Sequence, residues 1–152
     1  MTNAGHETVT ASRLALQATT HCLTGCVIGE VAGMTIGMAA GLSNGVTVAL
    51  AIALAFVFGY GLTMRPLLAA GTPIGAALRT ALAGDTVSIV IMEAIDNAFV
   101  LAVPGAMDAG LADLLFWASL AAGFAIAFPF AFLANRALIA RGVGRGAHGS
   151  HH

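Results

Sequence analysis

Four apolar stretches alternate with short polar breaks along the chain, over residues 20–42, 46–64, 82–103 and 112–134. A helix of about 20 apolar residues crosses a hydrocarbon layer of roughly 30 Å, so each stretch predicts a transmembrane helix. Helical structure is expected to begin earlier in the first, near Ser12. "LSNG" reads as a tight turn after the first span, "RPLLAAGTPIG" as a Pro/Gly-broken loop after the second, and "PGAMDAGLAD" as the link to the fourth. The fold class is all-α: a polytopic membrane protein with one four-helix bundle (20–134), an N-terminal segment (1–19) and a C-terminal tail (135–152). No solenoid-type repeat is present.

The arginines give this map a direction. Arg13 precedes the first span, Arg65 and Arg79 fall between the second and third, and Arg136, Arg141 and Arg145 follow the fourth. The opposite loops carry Asp108 and Asp113 instead. The positive-inside rule then predicts that both termini are cytoplasmic. "MTNAGHETVTASR" lacks a basic region ahead of a short apolar core and does not read as a cleaved signal peptide.

Composition agrees. Of 152 residues, 59% are hydrophobic and 9% charged, too few charges for the surface of a soluble domain. The net charge of −1, with no basic patch, gives no footprint for nucleic acid. The expected surroundings are lipid.

Polar residues inside the spans carry the candidate chemistry. Two rows climb the first span at four-residue spacing: Cys22, Cys26, Glu30, Met34 and Met38, and His21, Gly25, Gly29, Gly33, Gly37 and Gly41. Residues four apart are neighbours on a helix, although each step slips by roughly 40°. The glycine row lets another helix approach closely, whether from the same chain or from a second protomer. In the other row, Glu30 carries the functional expectation, because an intramembrane carboxylate costs at least about 3 kcal/mol. Cysteine and methionine alone are often packing filler. Together with Glu30 they make a path of about 24 Å from Cys22 to Met38. Two cysteines at i and i+4 lie roughly 5–6 Å apart at Cβ, too far for a disulfide, so they read as paired ligands. His21 points about 100° away from Cys22, toward another ligand direction or an interface.

The third span places Asp85, Met92, Glu93 and Asp96 on one side, with Asn97 beside them. Three carboxyls cannot face lipid, so this side must turn inward as cation ligands or proton carriers; for Asp85, near a span end, capping or contact with water is the competing expectation. In the fourth span Pro129 predicts a kink, Phe128, Phe130 and Phe132 read as packing or lipid-facing, and Asn135 with Arg136 as the end of the span. The tail histidines His148, His151 and His152 read either as metal collectors or as part of a tag.

"HCLTGCVIGEVAGMTIG" resembles a family of small, uncharacterised four-helix bacterial membrane proteins, a domain of unknown function. The shared pattern His-Cys-x-x-Gly-Cys-x-x-Gly-Glu falls on His21, Cys22, Gly25, Cys26, Gly29 and Glu30, and the acidic third span and "NRALIARGVGRGAH" are similar to it too. The resemblance covers about residues 15–148 and implies a four-helix fold in a bacterial inner membrane, with no established activity.

The residues together favour a transporter or channel for a soft metal cation, Cu(I) first, rather than an enzyme. The metal would pass His21, Cys22, Cys26, Glu30, Met34 and Met38, against Asp85, Met92, Glu93, Asp96 and Asn97. A narrow bundle suggests a homo-oligomer, and a cytoplasmic metal chaperone would fit as a partner. Two alternatives stay open: a redox or haem/metal-centre protein using His21 and the cysteines, which the absence of a CxxCH motif disfavours, and a proton-coupled transporter of a non-metal solute using Glu30, Glu93 and Asp96.

Overall fold

The computed structural model describes residues 2–142; the tail histidines and Arg145 lie outside the described residues. Four helices follow one another: α1 (Thr2–Ala40), α2 (Asn44–Ala69), α3 (Ile74–Ala102) and α4 (Leu114–Ala140), with a 3-10 turn at Ala106–Asp108 before the last. Each is long and apolar enough to cross a membrane, which marks an integral membrane protein. Large apolar side chains such as Val57, Leu101, Phe130 and Leu133 cover the outer faces.

All four helices outrun the expected spans at the arginine-bearing end. The segment 1–19 is not separate from the bundle but the first five turns of α1. "RPLLA", expected in a loop, continues α2 through Pro66 to Ala69, and α3 begins eight residues before the expected start. Leu, Ala, Met and Arg dominate "MRPLLAAG" and "GAALRTALAG", and these good helix formers carry the helices on despite Pro66 in α2 and Gly84 in α3. Helix α2 starts where Ser43 accepts a bond from the Val46 N–H at 3.4 Å. Both of its neighbouring turns close on left-handed glycines, Gly41 (φ 67°) and Gly71 (φ 90°). Gly41 therefore ends α1 and touches nothing with its Cβ direction; it is a turn residue, contrary to its expected place in the packing row.

The glycine row has its partner within the chain. A Cβ built on Gly25 would strike Gly59, on Gly29 Ala55, on Gly33 Ala51, and on Gly37 the Thr47 side chain. Each step of four up α1 thus meets a step of four down α2, whose buried residues are Thr47, Ala51, Ala55, Gly59, Thr63 and Leu67. Two rows of small residues face each other in antiparallel register. Such contact replaces side-chain interdigitation with backbone-to-backbone van der Waals packing, the main attraction available where lipid is as apolar as the helix. With this face used internally, the glycines are not available to join a second protomer.

Helices α3 and α4 close the other side. The row of Cys22, Cys26 and Glu30 lies about 100° round α1 from the glycine-row residue just before each in sequence and turns toward α3. The cluster at the centre gathers Cys22, Cys26, Ile89, Met92, Phe116, Leu120 and Phe124. Met92 is wholly buried within it and acts as packing filler there, where the sequence suggested a path residue.

Candidate functional site: a polar column between helices 1, 3 and 4

Buried polar side chains run down the bundle in a line. At the end opposite the arginines, a cavity of about 170 Å³ opens between the α1–α2 turn and the loop before α4. Asn44 donates to Asp108 Oδ1 at 3.2 Å across its mouth. Met38, Met34, Glu30 and Asn97 are among the residues that line the cavity.

Below it lie the acids. Glu30, Glu93 and Asp96 are exposed by 6%, 4% and 0%, and sit close enough to act electrostatically on one another. Asn97 donates to the Glu93 backbone carbonyl at 2.8 Å and to its Oε2 at 3.4 Å. Neither oxygen of Asp96 nor Oε2 of Glu30 has a hydrogen-bond partner. No lysine or arginine occurs between residues 80 and 135, or between 14 and 64. Three carboxyls gathered in a low-dielectric interior without a basic partner must hold protons or a cation among them.

Two thiols continue the line. Cys26 lies against Glu93, and one turn further Cys22 Sγ approaches Asp85 Oδ1 at 3.7 Å. Asp85 is fully buried, so it neither caps the helix nor reaches water. Both cysteines are free. His21 is half-buried and continues the glycine row of α1 by one step, next in sequence to Cys22. The structure therefore lines up Cys22, Cys26, Glu30, Asp85, Glu93, Asp96 and Asn97 with Met34 and Met38. Among the described residues, no three His, Cys, Asp or Glu side chains form a metal-holding group.

Toward the arginine-side end, Asn135 bonds to two residues that the sequence did not single out, Thr19 and Ser88. Asn135 Nδ2, only 2% exposed, donates to Thr19 Oγ1 at 2.9 Å and to Ser88 Oγ at 3.2 Å. Thr19 passes its own proton to the Ala15 carbonyl at 2.6 Å. One amide thus joins α1, α3 and α4. Asn135→Leu is expected to lower stability by about 1–2 kcal/mol, the worth of one or two interhelical bonds in a membrane protein. Heating the detergent-solubilised variant and following its surviving helicity checks this. Gly123 was also overlooked: a Cβ there would fall on the Asp96 carboxyl, so α4 is narrowed at the one level where that side chain needs room.

Searches of curated proteins and of solved structures found no match. Residues 13–144 match the model of DUF4396, a domain of unknown function, and with nearly its whole length covered the chain belongs to that family.

Proposed function

We propose that the protein carries a soft monovalent metal cation, Cu(I) in the first instance, through the membrane along this column. The observation that carries the reading is the pairing of each thiol on α1 with a carboxyl on α3, Cys26 with Glu93 and Cys22 with Asp85, below a cavity that ends at Glu30. A sulfur and a carboxylate make a two-donor station, and successive stations one helical turn apart let an ion move in steps of roughly 6 Å. Conduction requires sites weak enough to leave, so a ladder of sparse stations suits passage better than a closed cage. Sulfur donors select soft ions over Mg²⁺ or Ca²⁺.

The test is metal entry into liposomes holding the purified protein, with Cu(I) kept reduced and Ag(I) as its air-stable counterpart. The parent is expected to admit both. Cys22→Ser/Cys26→Ser is expected to cut entry at least about tenfold, in line with the loss of soft ligands. Equal entry with and without the thiols would sink the ladder.

A second reading has its own support. The cluster of Glu30, Glu93 and Asp96, three buried carboxyls within electrostatic reach of one another, supports a proton carrier that needs no sulfur. A pH-sensitive dye inside the same liposomes separates the two: proton flux unaffected by the double serine variant and by metal favours this second reading.

A further inference from the structure

The cavity at the short-turn end holds a donor set that the helix rows do not reveal. Three thioethers line it: Met34 and Met38 from α1, and Met107 from the 3-10 turn some seventy residues later in the chain. At its floor Glu30 is 94% buried, with Oε2 unpartnered. Asp108 at the mouth is already engaged by Asn44.

Met34 packs in part against the central apolar cluster, but all three methionines also line the cavity. Met92 shows what filler looks like, wholly enclosed in the apolar cluster. Met38 is 47% exposed, and its Sδ comes within 3.6 Å of a Cβ position on Gly110, across from α1. Met34 and Met107 are partly exposed on the same space. A cavity of about 170 Å³ takes a bare or partly hydrated ion, since a water occupies roughly 30 Å³.

The chemistry narrows the ion. Thioethers are neutral, soft donors that Mg²⁺ and Ca²⁺ shun, whereas Cu(I) and Ag(I) bind them readily. Glu30 at the floor and Asp108 at the mouth supply negative charge, so it is the neutral thioethers, not the charge count, that select Cu(I) or Ag(I) over a hard divalent ion.

We infer that this cavity is a binding site for a soft monovalent metal ion, held by the thioethers of Met34, Met38 and Met107 and neutralised by Glu30. It deepens the proposed function by giving the ladder a loading station, and it makes Met107 a selectivity residue.

The probe is silver nitrate, titrated in chloride-free detergent buffer against a chromogenic chelator. Full-length protein with Cys22→Ser/Cys26→Ser serves as the parent, so that thiols do not mask the site. It is expected to take up one silver ion per chain more than Met34→Leu/Met38→Leu/Met107→Leu built on the same background. That triple variant is expected to bind at least about tenfold more weakly, and Glu30→Gln to lose part of the affinity. Leucine conserves methionine's volume, and unaltered helicity and elution volume confirm the fold. Undiminished silver binding by the triple variant overturns the inference, as does equally strong binding of Zn(II) by the parent. Silver entry into liposomes by the cysteine-containing protein keeps the two readings apart. Entry with methionine-independent binding retires the site and keeps the transport; methionine-dependent binding without entry keeps the site and retires the transport.

Discussion

Asp96→Asn is expected to abolish cation entry into liposomes, by about a hundredfold or more, while leaving thermal stability equal to or above that of the parent. Asp96 is fully buried, and neither of its oxygens receives a hydrogen bond. A group so placed contributes little to folding, since its desolvation is not repaid by partners. Asparagine has nearly the same shape, carries no charge and can donate to Glu30 or Glu93, which lie within electrostatic reach. Stability held or raised while transport disappears is the signature of a residue kept for work rather than for structure. Gly123→Ala supplies an independent approach to the same group, because its Cβ would displace the Asp96 carboxyl without altering any ionisable residue. A flux that survives Asp96→Asn would remove the acid cluster from the path and leave the thiols to be tested alone.

The largest effect on stability is expected at the middle of the glycine row. In Gly29→Ala the new methyl would fall on the backbone of Ala55, and in Gly33→Ala on Ala51. Backbone cannot rotate aside as a side chain can, so α1 and α2 must part along their length. A cost of about 3 kcal/mol is expected for either alanine, at the upper end for overpacking, and Gly29→Leu is expected to yield no monodisperse protein. Gly61 lies in α2 with nothing near its Cβ direction, and Gly61→Ala should be neutral or add up to about 1 kcal/mol. Thermal unfolding in one detergent across the three alanine variants checks the order. Equal midpoints would mean that the two small-residue rows do not hold the pair together.

Much of this was legible in the residues because helical period turns spacing into position. The runs of apolar residues fixed the number of helices, the four-residue spacing of Gly25 to Gly37 announced a close contact, and the angles of Asp85, Glu93 and Asp96 announced an inward acidic face. What escaped notice was the complement of each feature. Thr47, Ala51, Ala55, Gly59 and Thr63 share the same spacing on α2, but alanine and threonine are unremarkable in any helix and draw attention only when a facing row is known. Asn135 looked like the end of a span because it precedes Arg136, yet α4 continues to Ala140 and the amide sits inside. Gly123 stands in a four-residue row on α4 with Ser119, Ala127, Ala131 and Asn135, as unremarkable as the row on α2, and Met107 has no periodic partner. Their roles arise from tertiary proximity, which one-dimensional spacing does not encode. The reading of Gly41 failed for a simpler reason: the row continued past the point where the helix stopped.

The uneven distribution of buried acids also bears on how the protein enters the membrane during synthesis. Helix α2 is the most apolar of the four, with mean hydropathy 2.1 in its best window, and α3 the least, with 1.4. Each carboxyl near the middle of a span costs about 3 kcal/mol during insertion. Helices α1 and α2 follow one another and carry matched faces, so they can settle as a hairpin as soon as both have left the ribosome. Helix α3 has no such independence. Its acids find thiols and small residues on α1, and a recess at Gly123 on α4. Its retention in the bilayer thus depends on a helix made before it and another made after, and a chain truncated ahead of α4 should be recognised and degraded rather than stored.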